Sequence, residues 1–183
     1  MPLSTDASPR ATFERDLEPL RVELRAYCYR MLGSAFDAED AVQEVLIRGW
    51  RHIDRFEGRA SLKSWLYRIA TNVCLDAIAG RQRRALPAGF TGPGRPDAPL
   101  GSALAAHEWV EPIPDRWVVP AGVDPAERAV VRDSVRLAFV AALQVLPAKQ
   151  RAALILRDVL AWHPHEIAEL LGTTVVSVNS SLQ

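Results

Sequence analysis

The chain has 183 residues, of which 49% are hydrophobic and 24% charged, with 22 basic groups against 22 acidic ones. This make-up suits a globular protein of one or two small domains, and it excludes a membrane-spanning class, since no stretch approaches the roughly 18 apolar residues a span needs. A net charge of zero speaks, on its face, against a nucleic-acid ligand, but the mean hides how charge is distributed along the chain.

The opening residues, Met1-Pro2-Leu3-Ser4-Thr5-Asp6, carry neither the basic nor the apolar region of a leader, so a cytoplasmic location is expected. Residues 1–12 are expected to be disordered. From Phe13 onward Leu17, Leu20, Leu24, Cys28 and Met31 recur every three or four positions, which predicts a helix ended by Gly33. Ser34 with Asp37 reads as the start of a second helix, whose apolar stripe is Ala38, Val42, Val45, Leu46, Trp50 and Ile53. Its other side carries Glu39, Asp40, Gln43 and Glu44, an acidic strip that either pairs with a basic partner helix or stays solvated. A third helix opens at Ser61 and buries Leu62, Trp65, Leu66, Ile69, Val73 and Ile78. Cys28 and Cys74, with no Cys-x-x-Cys pattern, read as buried free thiols.

Split by segment, the charge is far from even. Residues 14–50 hold 5 basic and 8 acidic groups, net −3, whereas residues 51–90 hold 8 and 3, net +5. The positive block is interleaved with aromatic and small polar residues: Arg51, Arg55, Phe56, Arg59, Ser61, Lys63, Trp65, Tyr67, Arg68, Asn72, Asp76, Arg81, Arg83 and Arg84. Positive charge tracks a phosphate backbone, rings stack on unpaired bases, and a Ser or Asn reads the edge of a flipped base, so the natural ligand is single-stranded or melted nucleic acid. The alternative is that Trp65 belongs to the core and that Arg81 to Arg84 merely end a helix favourably against its dipole.

Eight of the 13 prolines lie between Pro87 and Pro125, with five of the ten glycines, and mark residues 86–123 as a linker of net charge near −2. Within it Trp109-Val110-Glu111-Pro112-Ile113-Pro114-Asp115 is apolar enough to dock on a surface. Beyond it Val131 to Leu146 reads as one amphipathic helix, Pro147 suits the first turn of another through Leu160, and two short helices follow. These last have helix-turn-helix spacing: Ile167, Ala168 and Leu171 face inward, Gly172 turns, Thr173 or Thr174 caps, and Val175, Val178 and Leu182 form the second buried face. Thr173, Thr174, Ser177, Asn179, Ser180 and Ser181 are then left to meet DNA, unless the element is a plain helical hairpin. Residues 158–183 hold three acids and no Lys or Arg, which weighs against phosphate contact there and, with the chain stopping at Gln183 in mid-helix, suggests that the element is cut short. His163-Pro164-His165-Glu166 is a weak metal pattern that lacks the second His of a zincin, so neither metal nor cofactor is expected.

The expected architecture is all-α: two small helical domains, residues 13–85 and 124–183, joined by the Pro/Gly-rich linker. In order, Tyr27-Cys28-Tyr29-Arg30-Met31-Leu32-Gly33-Ser34, Asp37-Ala38-Glu39-Asp40-Ala41-Val42-Gln43-Glu44, Ser61-Leu62-Lys63-Ser64-Trp65-Leu66-Tyr67-Arg68-Ile69-Ala70-Thr71-Asn72 and Leu146-Pro147-Ala148-Lys149-Gln150-Arg151 resemble the bacterial extracytoplasmic-function sigma factors of the sigma-70 family. The resemblance implies a sigma2-like helical bundle and a sigma4-like helix-turn-helix domain. It implies a factor, not an enzyme, that binds core RNA polymerase through its β′ clamp and β subunits, directs it to promoters and melts the minus-ten region. The helix bearing Asp37, Glu39, Asp40, Gln43 and Glu44 would dock on the β′ coiled coil. Phe56, Arg59, Ser61, Lys63, Trp65, Arg68, Asn72, Asp76, Arg81, Arg83 and Arg84 would meet the melted non-template strand, and Thr173, Thr174, Ser177, Asn179 and Ser180 the minus-thirty-five element. An anti-sigma factor is a further implied partner. The linker is similar to that of a subgroup carrying a SnoaL-like domain after the helix-turn-helix, absent here, which suggests a piece ending at Gln183. The alternatives are a stand-alone helix-turn-helix regulator and, more remotely, a helical metalloenzyme.

Overall fold

The computed structural model describes residues 9–15, 17–58, 60–80, 110–122 and 124–181. Among them the chain is all-α: α1 (Pro9–Arg15), α2 (Leu17–Leu32), α3 (Ala35–His52), α4 (Leu62–Ala79), α5 (Asp115–Val118), α6 (Pro125–Ser134), α7 (Leu137–Val145), α8 (Ala148–Leu154), α9 (Pro164–Leu171) and α10 (Val175–Ser180). A 3-10 turn, Ile53–Arg55, prolongs α3, and a π turn, Ile155–Val159, prolongs α8. Helix α1 begins inside the stretch expected to be disordered, while residues 1–8, Arg59, Arg81, Arg83, Arg84, Trp109 and Leu182 lie outside the described residues. No described helix is long and apolar enough to cross a membrane.

Helices α2, α3 and α4 pack on one another, with Leu24, Met31, Val42, Val45, Leu66 and Ala70 buried between them. Their starts follow from local chemistry: the Ser34 hydroxyl accepts the Asp37 N–H and the Ser61 hydroxyl accepts the Ser64 N–H, each supplying an acceptor to a helix's unpaired first turn. The α2–α3 corner needs Gly33, whose φ of +70° is unfavourable for a side chain. Inside this bundle the Thr71 hydroxyl donates to the Tyr67 carbonyl, so the Tyr27 hydroxyl, 2.7 Å from Thr71 Oγ1, must be the donor of that pair. Cys28 and Cys74 are buried and free.

The expected single helix from Val131 to Leu146 is instead two, α6 and α7. The break has a tertiary cause. Arg30 of α2 donates through Nε to the Ser134 carbonyl at 3.1 Å and through Nη2 to the Ser134 hydroxyl at 2.6 Å, so the carbonyl that would continue α6 is held by a residue 104 positions away. Burial lowers the Arg30 guanidinium to about 10, still cationic at neutral pH.

Helices α7 and α8 seat on the end of α2. The Gln144 amide donates to the Arg30 carbonyl at 3.1 Å, and Arg151 donates to the carbonyl of Met31, to Gln144 Oε1 at 2.6 Å and to the carbonyls of Gln144 and Leu146 at 3.1 Å each. One buried guanidinium therefore gathers carbonyls from the C-terminal ends of α2 and α7, where the helix dipoles favour a cation. Trp162 closes the same junction edge-on to Tyr67, ring centroids 6.0 Å apart.

A second strap crosses from the stretch read as linker. The Glu111 N–H donates to the Gly33 carbonyl, Tyr29 donates its hydroxyl to the Glu111 carbonyl, and the Glu111 carboxylate accepts from the Ser34 hydroxyl at 2.6 Å and the Ala35 N–H at 3.1 Å. A carboxylate at the first turn of α3 is well placed against the helix dipole. Burial, with the charge of Glu111 adding to it, pushes the Tyr29 phenol up to about 12.

Candidate functional site

Three surfaces carry the residues singled out above. On α3, Asp40 and Gln43 are exposed, and Glu44 is half-buried with its carboxylate 2.6 Å from Arg48. Phe36 and Ile47 complete the same face at helical spacing, 75% and 45% exposed, so the uncovered strip is apolar at both ends and acidic in the middle. Glu39 does not belong to it. Its carboxylate turns toward α2, where it binds Arg21 and, at 2.6 Å, Arg25. Burial alone would raise the Glu39 carboxyl, but the hydrogen bonds and charges of Arg25 and Arg21 outweigh it and hold the group below the usual carboxylate range. Asp37 sits in the first turn of α3, beside the cap.

The second surface is a cleft of about 480 Å³ where the loop after α3 meets α4. Phe56 and Trp65 form its apolar floor, ring centroids 5.4 Å apart and tilted by 50°, with Arg55 and Arg68 on its walls. Both rings are half-buried, so part of each is packing and part is open. Ser61 caps α4 at the rim, and Lys63, exposed, pairs with Glu23 at 2.5 Å. Asn72 and Asp76 are exposed further along α4. A cleft with two aromatic faces and flanking guanidinium groups is suited to an unstacked base and its phosphates.

The third surface is the C-terminal helix pair. Ile167, Ala168, Leu171 and Val178 are buried, Gly172 makes the turn at φ +60°, and the Thr174 hydroxyl accepts the Ser177 N–H at 3.1 Å. Thr173, Thr174, Ser177, Asn179 and Ser180 are all exposed. Val175, expected on the buried face, is 40% exposed, because Val178 alone among the described residues of α10 reaches the core. Glu166 accepts the His163 N–H at 2.9 Å and so serves as a helix cap. Among the described residues no group of His, Cys, Asp and Glu is placed to hold a metal ion.

Residues 17–84 match the model of Sigma-70 region 2, and residues 136–183 match Sigma-70, region 4. The chain is 32% identical over 155 residues to the ECF RNA polymerase sigma factor SigW of Bacillus subtilis, covering 85% of this chain and 74% of that protein. It belongs to the extracytoplasmic-function sigma factors of the sigma-70 family. It is also 54% identical over 177 residues to the ECF RNA polymerase sigma factor SigG of Mycobacterium tuberculosis, covering 95% of this chain but 46% of the relative, so the chain spans about half of that protein's length. Among solved structures, SigJ of Mycobacterium tuberculosis aligns with a TM-score of 0.57 at 26% identity over 92% of this chain and 50% of that one. RpoE of Bartonella quintana, solved in complex with the anti-sigma factor NepR, aligns with a TM-score of 0.56 at 22% identity over 93% of this chain and 89% of that one, a likeness of fold.

Region 2 thus holds the α3 strip and the aromatic cleft, and region 4 the helix-turn-helix. Several residues of these surfaces were not singled out by sequence reasoning. Phe36 and Ile47 were detectable as apolar residues off the buried stripe of α3. Arg157, the last basic residue of the chain, donates to Asn179 Oδ1 at 3.1 Å, so region 4 does bring a cation to the face of α10. Because a guanidinium only donates, that contact also fixes the Asn179 amide, oxygen toward Arg157 and nitrogen away. No periodicity pointed to it, since the pair is 22 residues apart.

Proposed function

We propose that this chain recruits core RNA polymerase to promoters and opens the minus-ten region during transcription initiation, contributing binding energy and no bond-making chemistry. The observation that carries this reading is the uncovered face of α3, with Phe36, Asp40, Gln43 and Ile47 in line within region 2. Apolar ends with an acidic centre fit a basic helical partner, the coiled coil of the polymerase β′ clamp: the centre steers and orients, while the apolar ends lose water on contact.

The cleft supplies the second half of the function. Extracting a base from duplex costs a few kcal/mol, and stacking on an aromatic side chain returns roughly 1–3 kcal/mol per base. Phe56 and Trp65 with Arg55 and Arg68 therefore offset much of the cost of holding one or two flipped bases of the non-template strand, and Ser61, Lys63, Asn72 and Asp76 are exposed on the same helix or at its start; Arg59, Arg81, Arg83 and Arg84, outside the described residues, are assigned to the same strand from the sequence. Region 4 reads the minus-thirty-five element through Thr173, Thr174, Ser177, Asn179 and Ser180, aided by Arg157. The site of action is the cytoplasm. The Bartonella relative's anti-sigma complex supports an anti-sigma factor as a further partner of this chain.

The test is association with purified core polymerase, followed by gel filtration. The chain is expected to comigrate with core, and Asp40→Ala with Glu44→Ala to weaken the complex at least tenfold, about 1.4 kcal/mol or more. Undiminished association of the double variant would refute the clamp assignment, and tight duplex binding without polymerase would replace it with a stand-alone regulator.

A further inference from the structure

Arg157 stands where the backbone departs from a regular helix. The π turn Ile155–Val159 closes with the Leu160 N–H on the Ile155 carbonyl at 3.1 Å, one residue wider than an α turn, and the Trp162 N–H then reaches the Leu156 carbonyl at 2.9 Å. One residue is about 100° of helix rotation, so the wide turn re-aims the side chains it carries relative to those of α8. Ala161 follows at φ +55°, a conformation that is unfavourable for any residue with a Cβ. Ile155 and Leu156 are buried and anchor the turn, while Arg157 between this anchor and Ala161 is exposed.

The side chain so placed crosses to α10, where Nη1 donates to Asn179 Oδ1 at 3.1 Å. Asn179 sits on a helix that is itself held, by buried Val178 and by the Thr174 cap. An amide recognises a base through one oxygen acceptor and one NH2 donor group. With its oxygen on the guanidinium, Asn179 keeps the NH2 group to offer a base edge, and this changes which base it fits. Adenine presents the N7 acceptor beside its N6 donor and pairs with both ends of an amide, whereas guanine presents two acceptors, N7 and O6, side by side. Adenine would bring its N6 donor against an oxygen already held by a cationic donor. Guanine asks only for the donors that remain.

We propose that Arg157 is a positioning residue for promoter recognition, which holds the Asn179 amide by its oxygen so that region 4 reads guanine, and not adenine, at the base Asn179 meets. This rests on the reading of region 4 given under the proposed function. The re-aimed turn and the left-handed Ala161 are the backbone features that bring the guanidinium across to α10. Arg157 then acts on sequence choice through Asn179, beyond adding positive charge to the face.

The test is selection from a randomised duplex DNA library by holoenzyme assembled from core polymerase and the full chain, with the retained molecules sequenced. The base that Asn179 meets is identified as the upstream position whose preference is lost in Asn179→Ala. Wild type is expected to favour guanine over adenine there by about fivefold or more. Arg157→Leu, a change at an exposed residue, is expected to replace that guanine by adenine on the same strand, because the released amide again offers both a donor and an acceptor. Adenine selected by wild type would overturn the proposal. So would an Arg157→Leu chain that binds all sequences more weakly and still prefers guanine, which is the behaviour of a phosphate contact alone. An upstream motif left unchanged by Asn179→Ala overturns this proposal and leaves the region 4 reading standing. A wild-type holoenzyme that selects a minus-ten motif and nothing upstream of it refutes the region 4 reading, and this proposal with it.

Discussion

Replacing Arg151 by Met removes the donors that join α2, α7 and α8 while keeping most of the side-chain volume, so the cost falls on hydrogen bonding and not on a cavity. Arg151 is 5% exposed, and its guanidinium serves four acceptors, the Met31, Gln144 and Leu146 carbonyls and Gln144 Oε1. Hydrogen bonds from a charged donor contribute roughly 1.5–3 kcal/mol each, and the carbonyls left behind remain shielded from water. Against this stands the desolvation of a buried guanidinium, several kcal/mol, which Met does not incur. The net loss is expected near 3 kcal/mol, which in a chain of this size lowers the midpoint of thermal unfolding by about 6–12 °C. Circular dichroism at fixed pH and protein concentration reads it. Arg151→Lys should lose nearly as much, because one ammonium cannot reach acceptors on two helix ends. A drop below about 2 °C for Arg151→Met would refute the reasoning, since the four contacts would then have no more net worth than surface ones.

Two further substitutions test the same corner of the fold. Gly33→Ala places a Cβ at φ +70° and 3.0 Å from Gln144 Cδ, whose amide is held by Arg30 and Arg151, so a loss of about 1–2 kcal/mol from backbone strain is expected in urea unfolding, with more if Gln144 is displaced; an unchanged midpoint contradicts it. Glu39→Gln tests the half-buried, arginine-paired charge. The Glu39 carboxyl is depressed in the folded chain, so the stability it contributes is present above the unfolded value near about 4.3 and is lost as pH falls through the lower folded value. The variant should be less stable at neutral pH and lose less on acidification below that point, and parallel acid limbs for the two proteins would exclude the role.

What was legible in the sequence was local. Ser34, Ser61, Thr174 and Gly172 act within one turn of where they stand, so caps and turn could be read directly, as could the buried face of Ile167, Ala168 and Leu171. What could not be read depends on residues far apart. A helix from Val131 to Leu146 satisfies every periodicity test, yet Arg30 ends it at Ser134. The acidic strip of α3 was read as one surface, but Glu39 is drawn to the arginines of α2, and its place on the exposed face is taken by Phe36 and Ile47. The lack of basic residues after Arg157 counted against DNA binding by region 4, and the fold answers by laying Arg157 itself beside Asn179.

The zero net charge can now be understood in the same way. The positive block holds the proposed nucleic-acid surface, and in the folded chain two of its cations already hold carboxylates: Lys63 holds Glu23 from α2, and Arg68 holds Glu169 from region 4. The two pairs differ in where the carboxylate comes from. Glu23 and Lys63 both belong to region 2, so under the proposed function DNA would displace that carboxylate in direct competition, at a cost that salt and solvent keep small. Glu169 lies in the other matched region, so the Arg68–Glu169 pair joins region 2 to region 4. On α3, Phe36, Asp40, Gln43 and Ile47 are exposed and take part in neither pair.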